Sequence, residues 1–366
     1  MKKIFIDPGE FYIKVMVWDH LDGTNHTWQF YGRTFFPTLT CESQSQQSQQ
    51  SQQSQQIHYE CNNRFYQIGY DCSEINFNQR FANYDYSYDK VATSKITLDD
   101  GKLFVCKSIF DFSDDLEDIE VYIVLDSPTK LQFFKEVVKE IKEIGKSKSA
   151  SYELKAYRKL DERVISKKVN LKFDFLLASD GICSLVKQKF ENFNSAIVVD
   201  IAHSGTKLYT ISSQEGFKSF ALMEIGMHFY YTKIIELLQE KGIINIDYFW
   251  LIKQIELGLN DIEVPLNDNK SVYNFDPSLI IDNIRWDFNK NFHKEIIKAI
   301  SSYFVNLSSA IDSLFIMGGG AILNGDIIRA SLTSNGYKLL NIYIEKSPMY
   351  NILQGTCYYF NNHNFK

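Results

Sequence analysis

The stretch that most limits what this chain can fold into is Ile197-Val198-Val199-Asp200-Ile201-Ala202-His203-Ser204-Gly205-Thr206-Lys207. A short, largely β-branched run ends in an aspartate, passes through small residues and resumes as a second apolar run, Leu208-Tyr209-Thr210-Ile211. That order predicts strand, tight turn, strand, with a carboxylate at the mouth of the turn. The N-terminus repeats the design: Ile4-Phe5-Ile6, then Asp7-Pro8-Gly9-Glu10, then an apolar run from Phe11 to Trp18 with Lys14 inside it. Either hairpin alone reads equally as an ordinary antiparallel corner. As a pair they can face each other across a cleft. Small turn residues let backbone N–H groups approach phosphate oxygens, and Asp7 and Asp200 together can hold a hydrated Mg²⁺.

A chain of 366 residues is long for one core and comfortable for two domains. The formal charge of −6 argues against direct, sequence-independent binding to nucleic acid. The six cysteines form no C-x-x-C pair and no metal-ligand spacing, so reduced thiols in a cytoplasmic protein are expected. The start is basic and then apolar, but Asp7 cuts the run far short of a signal peptide. No run approaches the ~20 apolar residues of a membrane span, so no membrane contact is expected.

Around these hairpins the expected elements alternate. A hairpin turns at Asp22-Gly23, and residues 43–56 are a Ser/Gln repeat with nothing apolar to bury, expected as a disordered surface loop. Another hairpin turns at Asn62-Asn63. Residues 121–125 read as a buried strand, and a helix over 130–144 starts near Pro128 with apolar residues on one face. Residues 139–168 are lysine-rich with interleaved glutamates and read as a solvated helix-and-loop surface. Strands are expected over 169–177, 314–317 and 341–345, with a looser, partly stranded segment at 271–283. Helices are expected over 182–190, 229–240, 249–257, 294–311, 326–332 and about 349–360. Between the strand at 314–317 and its helix stand Gly318-Gly319-Gly320, where side chains would block a base or phosphate from the backbone. Close helix–strand packing is the alternative reading of that triplet.

In order and spacing, the Asp7 loop, the Asp200 loop and the glycine triplet resemble the actin, hexokinase and heat-shock-chaperone ATPase superfamily, and within it the ParM-like bacterial actins that segregate plasmids. Further local matches are Phe36-Pro37-Thr38, Tyr66-Gln67-Ile68-Gly69, Val124-Leu125-Asp126-Ser127-Pro128 and Ser347-Pro348-Met349-Tyr350 through Gly355. The resemblance implies an α/β fold of two related actin-like (ribonuclease H-like) domains, with mixed sheets flanked by helices and a central nucleotide cleft. The implied domain I is 1–190 plus 341–366, with a small β-rich subdomain at about 27–110. Domain II is 191–340.

The resemblance also implies ATP, with GTP as the alternative, and Mg²⁺. Asp7 and Asp200 would hold the metal through water, and Gly9 would belong to the first phosphate loop, with Lys14 reaching the β-phosphate as a point charge. Ser204, Gly205 and Thr206 would donate to phosphate, Gly318, Gly319 and Gly320 would pack on adenosine, and Lys253 and Glu256 would lie near adenine and ribose. Asp180 would position the attacking water, with Ser179 the nearest alternative, and the catalytic role of Asp200 would be to act with Asp7 on metal and water; a helix N-cap is the other reading of Asp180. The implied protein is a slow ATPase that stacks head to tail into filaments and reaches DNA through an adaptor protein.

Three residues depart from the pattern: Glu10 where a serine is usual, Ala202 where a glycine is usual, and His203 where an acid or glycine is usual. They favour nucleotide binding over fast hydrolysis, and leave open a non-polymerising ATP-binding scaffold for division or pilus assembly. A sugar or acetate kinase of the same superfamily comes last, because no sugar-binding motif is present.

Overall fold

The computed structural model describes residues 2–9, 12–20, 28–37, 40–42, 57–61, 64–68, 96–144, 151–158, 163–223, 226–240, 262–265, 272–275, 294–306, 311–334, 341–345 and 350–363. The expected loop at 43–56, the helix at 249–257 and Glu10 lie outside them. The chain divides into two compact units: residues 1–181 with 352–366, and residues 182–351.

Unit 1 is built on a mixed sheet. Strands β1 (Lys2–Pro8), β2 (Tyr12–His20) and β3 (Trp28–Pro37) form an antiparallel meander. Strands β7 (Glu117–Leu125) and β9 (Arg163–Leu177) continue it in parallel with β1. Beyond β9 the sheet runs on through β8 (Ser151–Arg158), β5 (Ile57–Cys61), β6 (Arg64–Ile68) and β4 (Thr40–Glu42).

Helix α1 (Leu98–Phe110) starts at Thr97, whose hydroxyl accepts from the Asp100 N–H at 3.2 Å while Asp100 accepts from the Thr97 N–H at 3.0 Å, a reciprocal capping box. Helix α2 (Pro128–Ile144) opens on a proline, where no N–H is needed. Ile4, Ile6, Val15, Val121 and Ile123 on the sheet pack with Leu103, Phe104 and Ile109 of α1 and Phe134, Val137 and Ile141 of α2. Each such side chain, taken fully out of water, contributes about 1.5–3 kcal/mol. The other face of the sheet is closed by helix α7 (Asn351–His363) through Phe360, which meets Phe5 and Tyr122 edge-on.

The lysine-rich stretch differs from the expected helix-and-loop surface. After α2 it forms β8 and the start of β9, an antiparallel pair. Tyr152, Leu154 and Ala156 alternate with Glu153 and Lys155, the period of a strand. Lys167 is not a solvated charge either. Its ammonium donates to the carbonyls of Phe110 at 2.7 Å and Ser113 at 2.6 Å, and Lys2 donates to Phe112 at 2.7 Å. Two cations therefore satisfy carbonyls at and just beyond the end of α1, where the helix dipole is negative.

Unit 2 repeats the plan. Strands β10 (Ser195–Ile201), β11 (Thr206–Ser212) and β12 (Gly216–Met223) form an antiparallel meander, and β15 (Ile311–Met317) and β16 (Asn341–Ile344) follow in parallel with β10. The order β12-β11-β10-β15-β16 matches β3-β2-β1-β7-β9 strand for strand. Helix α3 (Ala178–Lys189) begins in unit 1 and continues into unit 2. Beyond its end, Phe190 packs edge-on against Phe315, which stacks on Tyr343. Helices α4 (His228–Glu240), α5 (Lys294–Asn306) and α6 (Ala321–Ser334) follow the expected ones, except that Ile311, expected in the helix, begins β15 three residues before the expected strand, and α6 starts five residues earlier. A separate hairpin pairs β13 (Ile262–Pro265) with β14 (Val272–Phe275). Among the described residues no helix is long and apolar enough to cross a membrane.

Candidate functional site

In unit 1 the first hairpin sets Asp7, at the carboxyl end of β1, directly opposite Lys14 on β2. Residues so paired share a sheet face, and Lys14 Nζ lies 2.9 Å from Asp7 Oδ2. Both side chains are largely sheltered, 12% exposed for Asp7 and 22% for Lys14, so the pair is screened less than a surface ion pair. Gly9 donates its N–H to the Asp7 carbonyl at 3.0 Å, and a Cβ there would come within 2.7 Å of the Tyr12 carbonyl. The turn is thus too tight for any other residue without a shift.

Strands β1, β7 and β9 are parallel, so their carboxyl ends share one edge of the sheet. Asp7 ends the first, Asp126 follows the second, and Asp180 lies in the first turn of α3 after the third. Asp126 is held by Lys130 at 3.0 Å. The sequence marks it only as part of a strand-to-proline step, and its place beside Asp7 needs the pairing of β1 with β7.

In unit 2 the second hairpin places Asp200 opposite Lys207, with Ile201 opposite Thr206. The turn between them closes with the Ala202 N–H on the Gly205 carbonyl at 2.9 Å. Two further segments lock onto it. At the start of α4, the N–H groups of Met227 and His228 donate to the Ala202 and His203 carbonyls at 3.0 and 2.8 Å. From the glycine triplet, the Gly320 N–H donates to the Ile201 carbonyl at 2.9 Å. Gly318 has φ +84°, and a Cβ there would strike Asp200 Oδ1 and the Ile201 backbone. A Cβ on Gly320 would collide with Ile201 and Met227, whereas Gly319 is exposed with no neighbour within 4 Å of where its Cβ would stand. Gly318 and Gly320 thus serve close packing, and Gly319 leaves an open backbone surface.

Unit 1 therefore brings Asp7, Gly9 and Lys14 together, with Asp180 on the same strand-end edge. Unit 2 brings Asp200, Ser204, Gly205, Thr206, Gly318, Gly319 and Gly320 together. Lys253 and Glu256 lie outside the described residues.

His203 is tied to α4. Its ring stacks on Tyr231 with centroids 6.0 Å apart and lies 5.5 Å from His228. Burial, with the neighbouring His228 second, holds its pKa well below the usual histidine value, and burial lowers His228 as well. Both imidazoles are neutral at pH 7.

The residues fit a magnesium ion carried by phosphates rather than one caged by protein. Among the described residues no group of three or more His, Cys, Asp or Glu can hold a metal. Asp7 has one oxygen on Lys14, and the Oδ1 of Asp200 lies against Gly318. Single carboxylates of this kind suit Mg²⁺, which keeps several waters and takes its other ligands from substrate phosphates.

No protein-family model matches the sequence, and no curated protein sequence matches it. Solved structures do match its fold. A 15-stranded ParM filament from Clostridium botulinum is similar over 99% of both chains, with 13% identity and a TM-score of 0.65. A non-polymerisable quadruple mutant of pCBH ParM is similar over 100% of this chain and 99% of that one, at 14% identity and a TM-score of 0.62. An archaeal actin homologue in complex with ADP is similar over 100% of both chains, at 13% identity and a TM-score of 0.59. The chain has an actin-like fold of the ParM type.

Proposed function

We propose that this protein is an actin-like, adenine-nucleotide-binding protein that assembles head to tail into nucleotide-dependent filaments and segregates plasmid DNA through an adaptor. The observation that carries the nucleotide reading is the repeated hairpin: an aspartate at the end of the first strand of each meander, directly opposite a lysine. In unit 2 that hairpin is also bonded to the glycine triplet. On this reading Lys14 and the turn donors of residues 204–206 hold phosphates, while Gly319 offers an uncovered backbone to adenosine. Asp7 and Asp200 orient waters on a nucleotide-bound Mg²⁺, which supplies positive charge to the phosphates. Asp180, at the start of α3, orients the attacking water, so turnover is slow and set by positioning.

Self-assembly is supported by the fold, which is shared with a ParM filament subunit. The formal charge of −6 suits an indirect link to DNA. Sedimentation with ATP and Mg²⁺, with ADP, and without nucleotide tests the filament, and a pellet confined to the ATP sample is expected. Absence of polymer at high protein concentration overturns it. Calorimetry tests the nucleotide, and no heat from ATP or GTP with Mg²⁺ removes the whole reading.

One observation favours a non-polymerising ATP-binding scaffold as the second reading. His203 stands neutral on the second loop, where the resembled pattern has an acid or a glycine, and its ring is engaged with α4. Bound ATP with no pellet and negligible phosphate release selects that reading.

A further inference from the structure

We propose that Lys207 is a second phosphate-holding lysine, the counterpart in unit 2 of Lys14 in unit 1. The proposal rests on the nucleotide reading above and gives a role to the lysine of the second hairpin, to which the resemblance assigns none.

The two five-strand arrangements have the same order and the same directions. In each, the next-to-last residue of the first strand is an aspartate, and a lysine seven residues later faces it across the antiparallel ladder: Asp7 with Lys14, and Asp200 with Lys207. Directly opposed residues share a face, so each lysine is on the side of its sheet that bears the aspartate. Thr206, one residue earlier and on the opposite face, is completely buried, while Lys207 is half-buried in a strand whose other residues are buried. On the other flank the partner of Lys207 is Leu222 of β12, 56% exposed, so that neighbour brings no second carboxylate to the face.

The chemistry asks for such a residue. Asp7 and Asp200 suit a hydrated cation, but each also repels the phosphates that carry it. Lys14 offsets one carboxylate in unit 1, and its ammonium is seen on that carboxylate. In unit 2 a polyphosphate approaching the turn at residues 202–205 meets the carboxylate of Asp200. Lys207, directly opposite it, supplies a cation from the strand leaving the turn. A lysine rather than an arginine suits the role, because a compact ammonium on a flexible stem can follow the phosphates.

Calorimetry of the full chain with Mg²⁺ and, in turn, adenosine, AMP, ADP and ATP tests this, on the wild type and on Lys207→Ala, Lys207→Met and Lys207→Arg. A charge-assisted contact to phosphate predicts that Lys207→Ala weakens ATP and ADP by about tenfold to a hundredfold. Adenosine should change by less than about twofold, and Lys207→Arg should restore most of the ATP affinity. Lys207→Met keeps the apolar stem, so it separates lost charge from lost packing. If both neutral variants melt with the wild type and bind ATP within twofold of it, Lys207 holds no phosphate. If they lose adenosine as much as ATP, the residue is structural and the proposal falls. A wild type that binds none of the four ligands overturns the nucleotide reading itself, a result separate from either of these.

Discussion

His203 and the glycines beside it decide what the second loop can tolerate. The His203 ring stacks on Tyr231 and neighbours His228, with centroids at 6.0 and 5.5 Å, and burial holds both histidines below the usual pKa. Their folded pKa values are below 6.5, so as pH falls through 6.5 the unfolded chain takes up protons that the fold refuses. Stability is therefore fully present above that pH and is lost below it, with a limiting slope of about 1.4 kcal/mol per pH unit for each group. His203→Gln should flatten the loss of melting temperature between pH 6.5 and 5, and parallel curves for variant and wild type count against this account. The triplet makes a second, sharper contrast. Gly318→Ala puts a side chain into a positive-φ position already facing Asp200 and Ile201, so it should cost more than about 2 kcal/mol and show in the melting temperature. Gly319→Ala meets nothing in the protein, so its melting temperature should stay with the wild type. Any fall in ATP affinity for Gly319→Ala then reports contact with the ligand itself.

Among the elements, a buried polar pair holds the second loop, α4 and α6 in one arrangement. Asn324 is completely buried, donates to the Gly320 carbonyl at 2.9 Å and accepts from the Tyr230 hydroxyl at 2.6 Å. Tyr230 belongs to α4, whose first residues also bond the Ala202 and His203 carbonyls. Tyr230→Phe removes this donor from a completely buried acceptor, at about 1–3 kcal/mol. A lowered melting temperature with weaker ATP binding is expected, and an unchanged melting temperature would show that Asn324 finds another donor. Neither residue stood out in the sequence, because a tyrosine and an asparagine 94 positions apart carry no local signal. The strand–aspartate–turn units were legible because the chemistry and the β-branched runs are contiguous. Helix α1 went unread: Gly101 interrupts it, and Thr97 and Asp100 make a capping box with aspartate in place of the usual glutamate. Strand β12 went unread because Phe217, Ser219, Ala221 and Met223 do not alternate cleanly with their neighbours. The alternation of β8 was present but hidden under a run of lysines. Lys207 also went unread, although Asp7 to Lys14 and Asp200 to Lys207 are equal steps in the sequence. Its meaning waited for the registers of both hairpins.

For the molecule as a whole, the chain leaves unit 1 after Gly181 and returns to it at Ile352. The residues at these two passages meet inside unit 1. Gly181 lies in α3 so close to α7 that a Cβ would strike the Thr356 hydroxyl and come within 2.9 Å of the Ile352 carbonyl and the Thr356 nitrogen. The Thr356 hydroxyl is itself fixed on the Ile352 carbonyl at 2.7 Å. Helix propensity and packing then predict opposite signs for Gly181→Ala. Propensity alone would raise stability by up to about 1 kcal/mol. The collision is with helix backbone, which cannot swing aside as a long side chain can, so the helices must separate at a cost of about 1–3 kcal/mol. Packing wins, and Gly181→Ala should melt below the wild type. Adding Thr356→Ala removes the hydroxyl but not the backbone atoms, so the double variant should recover only part of the loss. Melting temperatures of the wild type, Gly181→Ala, Thr356→Ala and the double variant check this without assuming a single two-state transition, which a chain of two units need not show. A Gly181→Ala protein that melts at or above the wild type would mean that propensity governs this helix and that the approach of α3 to α7 is looser than its geometry indicates.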